Sequence, residues 1–197
     1  MRARLAILAS GLTVELREIV LREKAPEFLA SSPKGTVPVL VTPSVVIEES
    51  FDVMLWALEQ SDPEGWLAMP EVGYEWVARC DGPFKTALDH TKYAVRYPDL
   101  DPEQERRRAA EFLVDLNLQI ASSDWLFGAK CTLADIAIAP FVRQFTNSDR
   151  SWFDAQPWPN LQRWLSGSLA SDHFARIMTK YPKWQAGDRP VLLPSPA

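Results

Sequence analysis

Histidine and cysteine are scarce in this chain, two of each among 197 residues. Cys80 and Cys131 stand far apart in sequence. Two cysteines cannot form a disulfide framework, and both read as buried thiols of a reducing cytoplasm. His90 and His173 are isolated, so no Cys/His cluster has metal-ligand spacing and no metal is expected. The eight glycines form no Gly-rich phosphate loop. Positive charge is in deficit, with 21 Lys and Arg against 26 Asp and Glu and a net charge of −5. That excludes general nucleic-acid binding, which needs a positive field. The basic run Arg106-Arg107-Arg108 follows Glu103 and Glu105 and reads as a solvated helix face with internal pairing. No apolar run is long enough to span a bilayer, no signal-peptide pattern is read, and no repeat is found. What is present is ordinary for a globular chain: 47% hydrophobic and 24% charged residues, enough for one or two domains with a sizeable core.

The most informative stretch is Ser32-Pro33-Lys34-Gly35-Thr36-Val37-Pro38-Val39-Leu40-Val41. A proline gives no ladder donor, so Pro38 fits only as the opening of a strand at Val39–Val41. X-Pro bonds lose most of the trans preference, so a tight loop can hold Val37–Pro38 cis. Val37 then offers an unpaired N–H and C=O to an extended peptide. After Thr42-Pro43-Ser44 comes a second strand, Val45-Val46-Ile47. Glu48-Glu49-Ser50 opens a helix at Phe51, with Ser50 as N-cap, and N–H groups at a helix start bind carboxylates. Taken one at a time, these residues read as a strand-opening proline, a helix cap and, for Lys24 upstream, a solvated lysine.

As an ordered set they resemble the glutathione-binding half of the cytosolic glutathione transferase family, with an omega-like cast. The resemblance implies a backbone pairing of Val37, ahead of cis Pro38, with the cysteinyl part of glutathione. It implies that Glu49 and Ser50 hold the γ-glutamyl end and that Lys24 reaches the glycyl end. Glutathione is then a co-substrate, and a small electrophilic or disulfide acceptor is conjugated or reduced. The resemblance also implies a cytoplasmic homodimer, with no nucleic-acid or membrane partner.

The rest of the chain fits this frame. Arg2–Ser10 reads as a helix stopped by Gly11, and Thr13–Leu21 alternates like a strand. Pro26–Ala30 reads as a short helix. The fold class expected is α+β: a thioredoxin-like domain over 1–60, a turn-rich linker over 61–70, and an all-helical domain over 71–197. In the family a strand and a turn carrying the catalytic Ser or Cys precede the first helix. On this reading they lie before Met1, so no residue is assigned the catalytic role. An alternative reading therefore stands beside the enzyme: a non-catalytic module of the same fold, binding a ligand or a protein. The gap left by the first strand predicts that Thr13–Leu21 is displaced, unpaired or completed by a second molecule. Val191-Leu192-Leu193 could fill it, but Pro190 and Pro194 argue against a central strand.

In the helical part, Gly82-Pro83 should kink or break a long helix from Glu71 to Tyr97. Asp101 caps a helix opened by Pro102 and running to about Ser122. Thr132 and Asp135 form a capping box ahead of a buried helix. Lys85, Asp89, Lys92 and Arg96 recur at helical spacing beside Tyr93. They read as a solvated face with Lys85–Asp89 pairing, or as the polar wall of an acceptor cleft formed by Lys85, Asp89, Tyr93 and Arg96. The tail from Ala186 is expected to be irregular.

Overall fold

The computed structural model describes residues 1–194. The chain divides into two compact units, Met1–Gly65 with the chain from Asp172 onward, and Trp66–Ser171.

The first unit begins with helix α1, Arg2–Ser10, buried along almost its whole length. Gly11 ends it at φ 71°, a left-handed position that suits a residue without Cβ. A short strand β1, Val14–Glu15, follows, and then α2, Pro26–Ser31. Strands β2, Leu40–Val41, and β3, Val46–Ile47, pair antiparallel with Leu40 opposite Ile47. The Thr42 hydroxyl closes their four-residue loop, accepting from the N–H of Ser44 and Val45 at 3.3 and 2.9 Å. Helix α3, Ser50–Gln60, packs its buried Val53, Met54, Ala57 and Leu58 against α1.

The end of the chain departs from expectation. Helix α10, Asp172–Ile177, packs on α1. Strand β4, Leu192–Leu193, pairs antiparallel with β1, Val14 opposite Leu193 and Glu15 opposite Leu192. The segment after Ser171 thus joins the first unit, whereas the sequence reading put all of 71–197 in the helical domain. The Thr13–Leu21 strand shrinks to two residues and is completed by the molecule's own tail. Pro190 and Pro194 lie outside the paired residues, so neither removes a donor from this short ladder. Leu193 supplies the reason for docking, being 3% exposed.

The second unit is helical. Helix α4, Val72–Arg79, runs into a π-helical turn, Cys80–Phe84, and on into α5, Lys85–Lys92, with a 3₁₀ turn at Ala94–Arg96. Of the kink or break expected at Pro83, a break does not occur; the regular α-helix is interrupted there by the π-helical turn. The wider turn lets the Lys85 N–H reach the Cys80 carbonyl, so the missing proline donor is absorbed within the helix. Phe84 stacks on Phe112 at 4.8 Å between centroids, and Trp76 meets Phe112 edge-on at 5.6 Å. Helix α6, Pro102–Gln119, starts at Asp101, whose carboxylate accepts from Glu103 N–H at 2.9 Å. Its Asn117 Oδ1 accepts from the N–H groups of Asn160 and Leu161 at 3.1 Å each. That side chain, contributed by another helix, serves the start of α9, Pro159–Leu169. A short helix α8, Arg150–Asp154, precedes it.

Helix α7, Leu133–Thr146, runs through the core with Pro140 inside it. The capping box at Thr132 and Asp135 forms. Asp135 Oδ2 accepts from Thr132 N–H at 2.9 Å and from its hydroxyl at 2.8 Å. Oδ1 accepts from Leu126 N–H at 2.9 Å and from the Trp164 indole at 2.8 Å. Burial pushes the Asp135 carboxyl above the ordinary range, and these four donors act in the opposite direction. One side chain thereby ties the 125–128 loop, α7 and α9 together. An Asp135→Ala variant leaves three buried N–H donors without an acceptor. Its stability in urea is expected to fall by about 3 kcal/mol or more.

Candidate functional site

The turn ahead of β2 is built by Ser32, Pro33, Lys34 and Gly35, closed by a bond from Gly35 N–H to Ser32 C=O at 2.9 Å. Pro33 presets the backbone at the second position of the turn. Gly35 is at φ 61°. A Cβ there would be strained by the positive φ and would lie 2.9 Å from Lys24 Nζ and 3.3 Å from a Leu29 methyl, so glycine suits the conformation and lets the lysine end approach the turn. The same contact places the ammonium of Lys24 against the turn. Ser32 is fully buried, and its hydroxyl donates to Glu48 Oε1 at 2.6 Å, which fixes the turn to the residues just before α3. Lys34 Nζ lies 3.4 Å from Glu49 Oε1, an exposed pair. Such a surface pair contributes about 1 kcal/mol at most and exchanges readily.

The Val37–Pro38 bond is cis, as the sequence suggested. Val37 is 49% exposed, and among the described residues no backbone hydrogen bond uses its N–H or C=O. Ser50 differs from expectation. Helix α3 begins one residue earlier, with Glu49 as N-cap in extended geometry and Ser50 as the first helical residue. The Glu49 carbonyl accepts from Val53 N–H at 3.0 Å, and no side chain caps the helix. The Ser50 hydroxyl is therefore not committed to the cap role that was read for it. Ser32, Lys34 and Glu48 were not singled out from sequence. A hydroxyl before Pro-Lys-Gly and a doubled glutamate are the signals that carried them.

The four residues read as a cleft wall lie in the second unit and satisfy one another. Lys85 is paired with Asp89, and its ammonium lies 5.7 Å from the Phe141 ring. The Arg96 guanidinium stacks over the Tyr93 ring at 4.6 Å. A cavity of about 350 Å³ on this unit is lined by Lys92, Arg106 and Trp152 among others, and none of Lys85, Asp89, Tyr93 or Arg96 borders it. Among the described residues no group of His, Cys, Asp and Glu could hold a metal ion, and no helix is long and apolar enough to cross a membrane.

Residues 1–65 match the family model for the glutathione S-transferase N-terminal domain, and residues 74–166 match that for the C-terminal domain. The chain belongs to the cytosolic glutathione S-transferase superfamily, with a thioredoxin-like N-terminal part of few strands and a helical C-terminal part. Glutathione S-transferase GstB of Escherichia coli K12 is 27% identical over 156 residues, covering 70% of this chain and 71% of that protein. Elongation factor 1-gamma 3 of Oryza sativa subsp. japonica is 26% identical over 193 residues, covering 90% of this chain but 45% of that protein. Among solved structures, a glutathione transferase family member from Pseudomonas fluorescens pf-5 with two glutathiones bound shares the fold. Its TM-score is 0.74 at 20% identity, over 89% of this chain and 86% of that one. Poplar glutathione transferase F1 superposes at a TM-score of 0.75 and 16% identity, over 90% of each chain.

Replacing Gly35 by alanine should force Lys24 off the turn and strain the backbone. The expected cost is about 1 kcal/mol in stability, read as a lower urea midpoint. An unchanged midpoint would mean that the turn relaxes without cost.

Proposed function

We propose that this chain binds glutathione on the first unit and conjugates it to a small electrophile or uses it to reduce a small disulfide. The observation that carries the reading is the open backbone at Val37, half exposed and without a main-chain partner, on the same unit as the start of an eleven-residue helix at Ser50. An extended γ-Glu-Cys-Gly peptide pairs with such an edge through its central residue. Its γ-glutamyl carboxylate is stabilised at the positive end of α3 by the Ser50 N–H and hydroxyl. Its α-ammonium takes Glu49, exchanging with Lys34. The glycyl carboxylate is drawn to Lys24. Pro38 keeps the chain from donating into β2 and so leaves the edge to the ligand.

Membership of the family supports a glutathione-binding transferase in general terms. The family reading extends to a homodimer of this chain in the cytoplasm. A purely binding role draws on no observation that the transferase reading lacks. The paired face of Lys85, Asp89, Tyr93 and Arg96 is satisfied within itself and is given no part in binding the acceptor.

Isothermal titration with reduced glutathione tests the site. Hydrogen bonds to charged groups contribute about 1.5–3 kcal/mol, so Ser50→Ala should weaken binding about tenfold or more. Because Ser50 is not a side-chain cap, the unfolding free energy from urea titration should stay within about 0.5 kcal/mol of the parent's. Equal affinity in the variant would remove Ser50 from the site. A parent that does not bind glutathione would overturn the function itself.

A further inference from the structure

The site proposed for glutathione draws on two stretches of chain, the turn and strand opening over 32–38 and the start of α3 over 48–50. Ser32 and Glu48 are 16 positions apart in sequence. The β2–β3 ladder joins the two stretches, but it is two residues long on each strand and starts at Leu40, beyond Val37. Two side-chain bonds also cross directly from the turn to the residues before α3. The one from Lys34 to Glu49 is long at 3.4 Å and exposed. The one from Ser32 to Glu48 is short at 2.6 Å, with Ser32 at 0% exposure and Glu48 half-buried.

Ser32 commits its N–H, its carbonyl and its hydroxyl at once. The N–H donates to the Phe28 carbonyl at 2.8 Å and ends α2. The carbonyl accepts from Gly35 N–H at 2.9 Å and closes the turn. The hydroxyl donates to the Glu48 carboxylate, a charge-assisted bond of the stronger kind. Buried as it is, that hydroxyl has no access to water as a substitute partner. Glu48 is thereby tied to the turn that leads into Val37, and it stands directly ahead of Glu49 and Ser50. Glu49 cannot supply this tie, because it is exposed and its pair with Lys34 exchanges readily.

We propose that Glu48 is a positioning residue for glutathione: its bond to Ser32 sets the spacing between the Val37 backbone edge and the start of α3, so that one tripeptide meets both. The inference rests on the glutathione reading given above. Glu48 does not touch the ligand, and its role differs from that of its neighbour Glu49. When two subsites keep a fixed spacing, the second contact of a ligand forms at high effective concentration. A loose spacing forfeits that gain, since a site must hold its contacts closely to the productive geometry.

Calorimetry with reduced glutathione on the full chain tests this, at a temperature where circular dichroism shows each variant folded. Glu48→Ala and Ser32→Ala each remove the bond, and each should weaken binding about tenfold. The double variant should bind no more weakly than either single one, because both remove the same interaction. Glu48→Gln keeps an oxygen that accepts from the Ser32 hydroxyl, and should bind within about threefold of the parent. A bond that serves stability alone would lower the unfolding free energy of the variants and leave the affinity of the folded protein at the parent's value. That result would overturn the proposal. Weakening in Glu48→Ala without weakening in Ser32→Ala would also overturn it, since Glu48 would then meet the ligand directly. A parent that does not bind glutathione would remove the site itself, an outcome distinct from variants that bind as tightly as a binding parent. Should Ser32→Ala fail to fold, Glu48→Ala against Glu48→Gln decides the matter, and equal affinity in those two would contradict the role of the bond.

Discussion

Main-chain hydrogen bonding is the constraint on which this molecule depends. An N–H or C=O taken out of water must find a partner, and the first unit has several strand edges and little sheet to serve them. Strands β1 to β4 are two residues each and form two separate pairs. One edge of β1 is served by the chain's own tail, and the pair β2–β3 is closed by the Thr42 hydroxyl. The backbone at Val37 is left open, and the cis bond after it carries the chain on into β2 through a residue with no donor. On the function proposed above, a peptide ligand completes that edge.

The helical unit meets the same constraint with side chains. Asp135 supplies both oxygens to donors from three places in the chain, and Asn117 serves the first N–H groups of α9. Both groups are buried within the unit, where an unserved donor costs most. Around them Phe84, Phe112, Phe145 and Trp164 fill the interior. The unit thus gains rigidity from polar groups that are fully engaged. The Lys85–Asp89 and Tyr93–Arg96 pairs on its surface are likewise satisfied within the unit.

Much of this could be read from residues. Arg2–Ser10 came out with its bounds, because strong helix formers end at a glycine that can turn left-handed. Thr132 with Asp135 and Asp101 with Pro102 are local capping patterns, complete within a few residues, and both are present. The pairing of the tail with β1 was missed because its warrant is tertiary. Flanking prolines argue against a strand locally, while the buried Leu193 and the bond from Leu16 N–H to the Val191 carbonyl that favour it involve residues far away in sequence. The π turn was missed because Pro83 forbids a regular bond but not a wider one. Ser50 was misplaced by one residue, since Glu49 can take the extended N-cap geometry without a side-chain bond. Ser32, Lys34 and Glu48 were passed over because each acts through another residue of the turn.

The central claim is that glutathione completes the backbone edge at Val37. Chemical-shift mapping of backbone amides during a glutathione titration tests it most directly. The account predicts that the largest shifts fall at Val37 and at Ser50 and its neighbours at the start of α3, with smaller shifts at Lys24 and Gly35. Shifts concentrated on Lys85 to Arg96, with Val37 unmoved, would contradict it.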